Sequence, residues 1–389
     1  MAFQNNTLRG AARREMARAI AKMNENEAES FLAAIRFGGE TRQECPQCGL
    51  VDSHYRIPTR RQWRCRDVGC GHTFSVTSGT RLDQAKLKPT QILRFLSHFE
   101  SCPKGTTLVG ASNAVCMTEK CSQQNTMKAR EAIMEHADRT PLSGTVHMDG
   151  AHVCGKFRRS NRRVKATADS VLAVHGGAPI KRRLRAINPQ SQGNLRRAKK
   201  KRVMIAMVQA DPNQGGANRV IVAMCRSENA DDVLVLARRY IAFGTTIFTD
   251  ENPAYNALDA YYAHLVVNHS EEYSTPEGVN ENLAEAFFSR MRRSQYGVHH
   301  GFRPENMELY AWEFAWRETN RRRSQKWKVE QLARWLLAPG YSHRWRGYHG
   351  GNRRRDHRNP RPEIVMGDVT ASWRDARSTG RRDRSDQVF

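Results

Sequence analysis

Asp149 in TVHMDGAHV, Asp250 in TTIFTD and Glu285 in VNENLAEAFFSRMRR are the residues best suited to chemistry. Carboxylates that converge without neighbouring bases repel one another unless a cation neutralises them, and hard oxygen ligands of this kind suit Mg²⁺ or Mn²⁺. Two such ions activate water or a hydroxyl and stabilise the leaving oxygen of a phosphodiester. The gaps between these acids are 101 and 35 residues, so only the fold can bring them together. A second ligand set is thiolate. Cys45 and Cys48 in CPQCG, with Cys65 and Cys70 in WRCRDVGCGHTFSV, read as the two knuckles of a zinc ribbon that holds a structural Zn²⁺. The second knuckle is wider than usual, and His72 offers a competing nitrogen ligand. Cys102, Cys116, Cys121, Cys154 and Cys225 lack such spacing and read as buried thiols.

The elements that position the acids follow from periodicity. Strand-like runs at 145 to 153, 203 to 210 and 218 to 225 precede a helical pattern through Val233, Leu236, Ala237 and Tyr240. Then come a strand at 245 to 250, a short helix around 253 to 262, a strand at 264 to 268 and the helix with Leu283, Ala286, Phe287 and Met291. The order βββαβαβα is that of an α/β, ribonuclease H-like domain, a mixed sheet with helices on both faces. In that succession metal-binding acids sit on the first strand, after the fourth and on a late helix, the places of Asp149, Asp250 and Glu285.

Upstream, Asn26 and Glu29 form a capping-box pattern ahead of Phe31, Leu32 and Ile35. Pro89 opens a helix with Ile92, Phe95, Leu96 and Phe99 on one stripe. Residues 106 to 137 suggest a helix-turn-helix with Ser122 as cap, on which Gln123, Gln124, Asn125, Lys128 and Arg130 could face DNA. The expected division is an N-terminal helical segment (1–40), a zinc ribbon (41–84), a helix-turn-helix-like region (85–142), a catalytic domain (143–325) and a helical end with a basic tail (326–389).

Charge narrows the partner. The chain has 64 Lys+Arg against 39 Asp+Glu, a formal net charge of +25, which is the footprint of a polyanion binder. Residues 156 to 202 hold sixteen Lys+Arg and one Asp, a basic hairpin insertion whose Arg158, Arg159, Arg162, Arg163, Lys199, Lys200, Lys201 and Arg202 are suited to phosphates. No apolar run is long enough to span a bilayer, and the first residues lack the apolar core of a secretory signal, so a cytoplasmic protein without membrane contact is expected.

These segments together resemble the zinc-ribbon DDE transposases of bacterial insertion sequences, the ISXO-two-like group. CPQCG with WRCRDVGCGHTFSVTSGT resembles the family's ribbon, MDGAHVCGK and TDENPAY its two aspartate segments, and VVNHSEEY, VNENLAEAFFSRMRRSQYGVHHGF and EFAWRETNRR its C-terminal block. The resemblance implies an enzyme that binds terminal inverted repeats and catalyses metal-dependent DNA cleavage and strand transfer. It would act on nucleoid DNA as a homodimer or higher assembly. It makes Asp149, Asp250 and Glu285 ligands of two Mg²⁺ or Mn²⁺ ions, matches Asn282 to the Asn one turn before the acid, and places the family's basic residue at Arg292. The chain departs from the family pattern in its wide second knuckle, in Arg292 where Lys is usual and in Cys154 where Gly is usual. Two other readings are a zinc-ribbon DNA-binding regulator with a relic catalytic domain and a nuclease without strand transfer.

Overall fold

The computed structural model describes residues 15–39, 41–153, 202–225, 228–267, 282–303 and 306–350. All basic-insertion residues named above except Arg202, together with Cys154 and the tail past 350, lie outside them.

Helix α1 (Glu25–Phe37), which follows a helical stretch at 15–22, buries Ala28, Leu32 and Ala33. Its cap is Asn24, two residues before the expected Asn26: the Asn24 side chain accepts from the amides of Asn26 and Glu27, and Glu27 returns the bond. Two overlapping Asn-x-x-Glu patterns compete here, and the fold uses Glu29 differently, burying it against Arg56 at 2.6 Å. The ribbon follows as short antiparallel strands, β1 (Gln43–Glu44) with β2 (Val51–Asp52), and β3 (Tyr55–Ile57), β4 (Gln62–Arg64) and β5 (Thr73–Phe74).

Helices α2 (Pro89–Ser101), α3 (Leu108–Val115) and α4 (Glu119–Glu135) come next. Pro89 occupies the first turn of α2, and Ile92, Phe95, Leu96 and Phe99 are buried as the stripe requires. The cap of α4 is Thr118, whose hydroxyl accepts from the Cys121 amide; Ser122, the expected cap, is buried and donates to the Leu108 carbonyl at 2.8 Å.

A five-stranded mixed sheet carries the acids. Its strands are β6 (Thr145–Val153), β7 (Arg202–Ala210), β8 (Ala217–Cys225), β9 (Thr246–Thr249) and β10 (Ala263–Val266), in the order β10-β9-β6-β7-β8. β6, β7 and β8 pair antiparallel, while β9 runs parallel to both β6 and β10. The β6–β7 ladder reaches Val153 opposite Arg202, so the two ends of the basic insertion meet in one hairpin. Consecutive residues of a strand point to opposite faces, and Val203 through Val208 are all fully buried, so the centre of the sheet is covered on both sides. Helices α5 (Ala230–Tyr240), α6 (Asn282–Gly297), α7 (Met307–Thr319) and α8 (Gln325–Leu337) complete the fold, with a 3-10 segment at Pro253–Ala260. α5 packs on β8, α6 on β6 and β7, and α7 on β8 and α4.

Candidate metal centres

The ribbon cysteines form the tighter set. A zinc–sulfur length of about 2.3 Å places the thiolates of a tetrahedron about 3.8 Å apart. The Sγ atoms of Cys45 and Cys70 lie 3.9 Å apart and those of Cys48 and Cys65 lie 3.6 Å apart. Among the described residues these four make the one group of three or more ligating atoms all within 4.8 Å of one another. The wide knuckle is absorbed locally. Asp67 accepts the Cys70 and Gly71 amides through its carbonyl and the Gly69 amide through its carboxylate, leaving Val68 wholly exposed at the tip. His72 is outside the cluster, its ring parallel to Phe74. The residues therefore fit a Cys₄ zinc site, with Cys70 as the fourth ligand. Of the other cysteines, Cys225 is buried as expected, but Cys102 and Cys121 are half-buried and Cys116 is exposed, because Cys116 caps α3 in a left-handed turn.

The acidic centre is built by strand register. Thr145 lies opposite Thr246 and His147 opposite Phe248 across the parallel pair, the same 101-residue offset that separates Asp149 from Asp250. Asp149 and Asp250 each stand two residues beyond His147 and Phe248, whose rings meet at 5.2 Å. Beyond His147 the ladder to β9 stops while the one to β7 continues, so Asp149 sits where β6 loses its neighbour on one side. Burial changes at the same point: Val146, His147 and Met148 are buried, and Asp149 is half-buried.

Asp250 begins a braced turn. Its carboxylate accepts the Asn252 amide at 3.2 Å, and its carbonyl accepts the Thr249 hydroxyl. Thr249 in turn meets His264 Nε2 at 2.8 Å, and His264 Nδ1 meets Asp259 at 2.6 Å.

Burial, then the charge of Asp250, push the Asp149 carboxyl up to about 7; the Gly150 amide works against them, and Glu228 and Glu285 add smaller raising effects. The charges of the other two expected acids are thus both felt at Asp149. Glu285 lies in the first turn of α6, exposed, and Arg292 is exposed on the same helix, its guanidinium 5.9 Å from the Phe288 ring. Asn282 is the first residue of α6. Asp149, Asp250 and Glu285 do not group within 4.8 Å of one another as the thiolates do.

Glu228 was not identified from sequence. It lies in SENADD among other polar residues typical of a helix start, and Asn229, not Glu228, is the cap of α5. The available signal was Gly150: glycine inside a central strand marks a close approach of another group.

The expected base-reading face is not formed as drawn. Asn125, Lys128 and Arg130 are buried, and Gln123 and Gln124 are half-buried. Arg130 pairs with fully buried Glu313 at 2.6 Å and covers the Tyr310 ring, Asn125 donates to the Cys121 carbonyl, and Gln124 donates to the Trp345 carbonyl. The reason is tertiary: α7, α8 and the segment around Trp345 cover the face of α4 that periodicity alone leaves open.

Comparison with protein families gives two matches. Residues 173–319 match the ISXO2-like transposase domain, and residues 23–73 match the transposase zinc-ribbon domain. The chain belongs to the zinc-ribbon, ISXO2-like transposases. The first stretch takes in Asp250, Asn282, Glu285 and Arg292 and begins after Asp149; the second takes in all four ribbon cysteines. No curated protein and no solved structure matches the chain. Among the described residues no helix of this transposase is long and apolar enough to cross a membrane.

Proposed function

We propose that this transposase is a DNA-cleaving and DNA-joining enzyme whose ribonuclease H-like sheet carries the catalytic acids. The observation that carries the reading is the shared 101-residue offset of the β6–β9 register and of Asp149 and Asp250, with the charge of Glu285 felt at the same point. The donor set is all carboxylate, which is the environment a divalent ion fits.

Asp149, Asp250 and Glu285 would hold two Mg²⁺ or Mn²⁺ ions. Such ions, when bound, lower the pKa of water and offset charge on a phosphodiester. The chain's own residues then align the DNA. Asn282 offers a neutral hydrogen-bonding amide one helical turn before Glu285. Arg292, two turns after Glu285, offers a bidentate fork to a phosphate; a guanidinium stays protonated, so it anchors and does not exchange a proton. Hydrolysis at an element end leaves a 3′ hydroxyl, and that hydroxyl attacks target DNA in the same in-line geometry. The zinc ribbon and neighbouring helices bind the terminal repeats, and the insertion 156–202 supplies contacts to phosphates that do not depend on sequence. The enzyme works as a homodimer or larger assembly on nucleoid DNA in the cytoplasm.

The test is nicking of a plasmid that carries the element's own ends. Wild-type protein should nick at those ends with Mg²⁺, and Asp250→Asn should bind the same DNA without nicking it. Equal nicking by the variant would remove the catalytic assignment.

A further inference from the structure

Glu228 stands two residues ahead of α5, and its carboxylate fills the space above the Cα of Gly150. A Cβ built at position 150 would meet Glu228 Oε1 at 2.2 Å, Cδ at 2.5 Å and Oε2 at 2.8 Å. The whole carboxylate therefore occupies the volume of a missing side chain. Neighbouring strand residues point to opposite faces, so Glu228 arrives from the face opposite Asp149, at the point where β6 has lost β9 as a neighbour.

One oxygen is already fixed. The hydroxyl of fully buried Tyr255 donates to Glu228 Oε1 at 2.7 Å, and Tyr255 lies five residues after Asp250 in TDENPAY. Glu228 is thus clamped between the two segments that carry the aspartates. A carboxylate offers about four lone-pair sites, so one bond from tyrosine leaves capacity for a cation.

Resting on the reading of Asp149, Asp250 and Glu285 as a divalent-ion site, we infer that Glu228 is a fourth carboxylate of that site, admitted through the gap at Gly150 and oriented by Tyr255. Four carboxylates match the charge of two divalent ions, where three leave one positive charge over. Gly150 serves as the opening: a side chain there would drive Glu228 out.

The experiment is calorimetric titration of the zinc-loaded full chain with Mn²⁺, in Mg²⁺-free buffer and without DNA. Glu228→Gln keeps the shape and an acceptor for Tyr255, so its fold should hold, as its melting curve would check. Its Mn²⁺ affinity should fall by about 10–100-fold, the range seen when groups supporting a metal site are lost. Gly150→Ala should fall similarly, and Tyr255→Phe by less. Wild-type affinity in Glu228→Gln, with loss in Asp250→Asn, would overturn the assignment of Glu228 and leave the site standing. Wild-type affinity in both variants, or no Mn²⁺ binding by the wild type, would overturn both.

Discussion

Replacing Asp149 by Asn should stabilise the ion-free protein, and by an amount that grows with pH. In the fold the Asp149 carboxyl titrates near 7 against an ordinary 3.8, chiefly because it is buried and then because Asp250, Glu228 and Glu285 lie near it. The folded chain therefore holds this proton more tightly than the unfolded one, and the stability it contributes is complete below about pH 3.8 and lost as pH rises through about 7. Each pH unit within that window is worth about 1.4 kcal/mol, so up to about 3 kcal/mol separates pH 5 from pH 8. Asn carries no such dependence and keeps the shape. Thermal unfolding of zinc-loaded protein in buffers free of Mg²⁺ and Mn²⁺ should show the variant's Tm advantage widening by several degrees between those two pH values. Added Mn²⁺ should stabilise the wild type and narrow the gap. A Tm difference that does not change with pH would refute the electrostatic account of the acidic centre.

Three further outcomes are expected. Cys70→Ser should lower bound zinc measured by metal analysis, with the ribbon unfolding, whereas His72→Ala should keep one zinc per chain, because the four thiolates alone share the cluster. Glu313→Gln should cost about 3–5 kcal/mol in denaturant unfolding, since it strands Arg130, wholly buried, and Arg317 without their shared carboxylate. Deleting most of residues 156–202 should flatten the slope of log affinity against log salt for specific and random duplexes alike; an unchanged slope would show that the segment does not touch DNA.

Local patterns carried far into the structure. The apolar runs of β6, β7 and β8 and the stripe of α2 are short-range signals, and their bounds in the fold differ from the periodic reading by a residue or so. Paired cysteines announce a zinc ribbon for the same reason, although only the turn at Asp67 shows how the wide knuckle still closes on Cys70. Long-range pairings were not legible. The parallel β6–β9 register, whose 101-residue offset is also that of Asp149 and Asp250, joins segments about a hundred residues apart, and element order could only suggest it. Arg130 reads as a DNA-facing cation until Glu313, 183 residues later, takes it into the core. Glu228 shares its turn with Asp231 and Asp232, and only the three-dimensional gap at Gly150 distinguishes it from them.

The central claim is that the acids perform both cutting and joining, and joining of a pre-cut end tests it most directly. An oligonucleotide ending in the element's 3′ hydroxyl would be incubated with target plasmid, Mg²⁺ and protein, and the covalent product counted. The wild type should join the end, Glu285→Gln should bind the oligonucleotide but form no product, and Asn282→Ala should retain measurable joining. Joining at the wild-type rate by Glu285→Gln, with none by Asn282→Ala, would contradict the assignment.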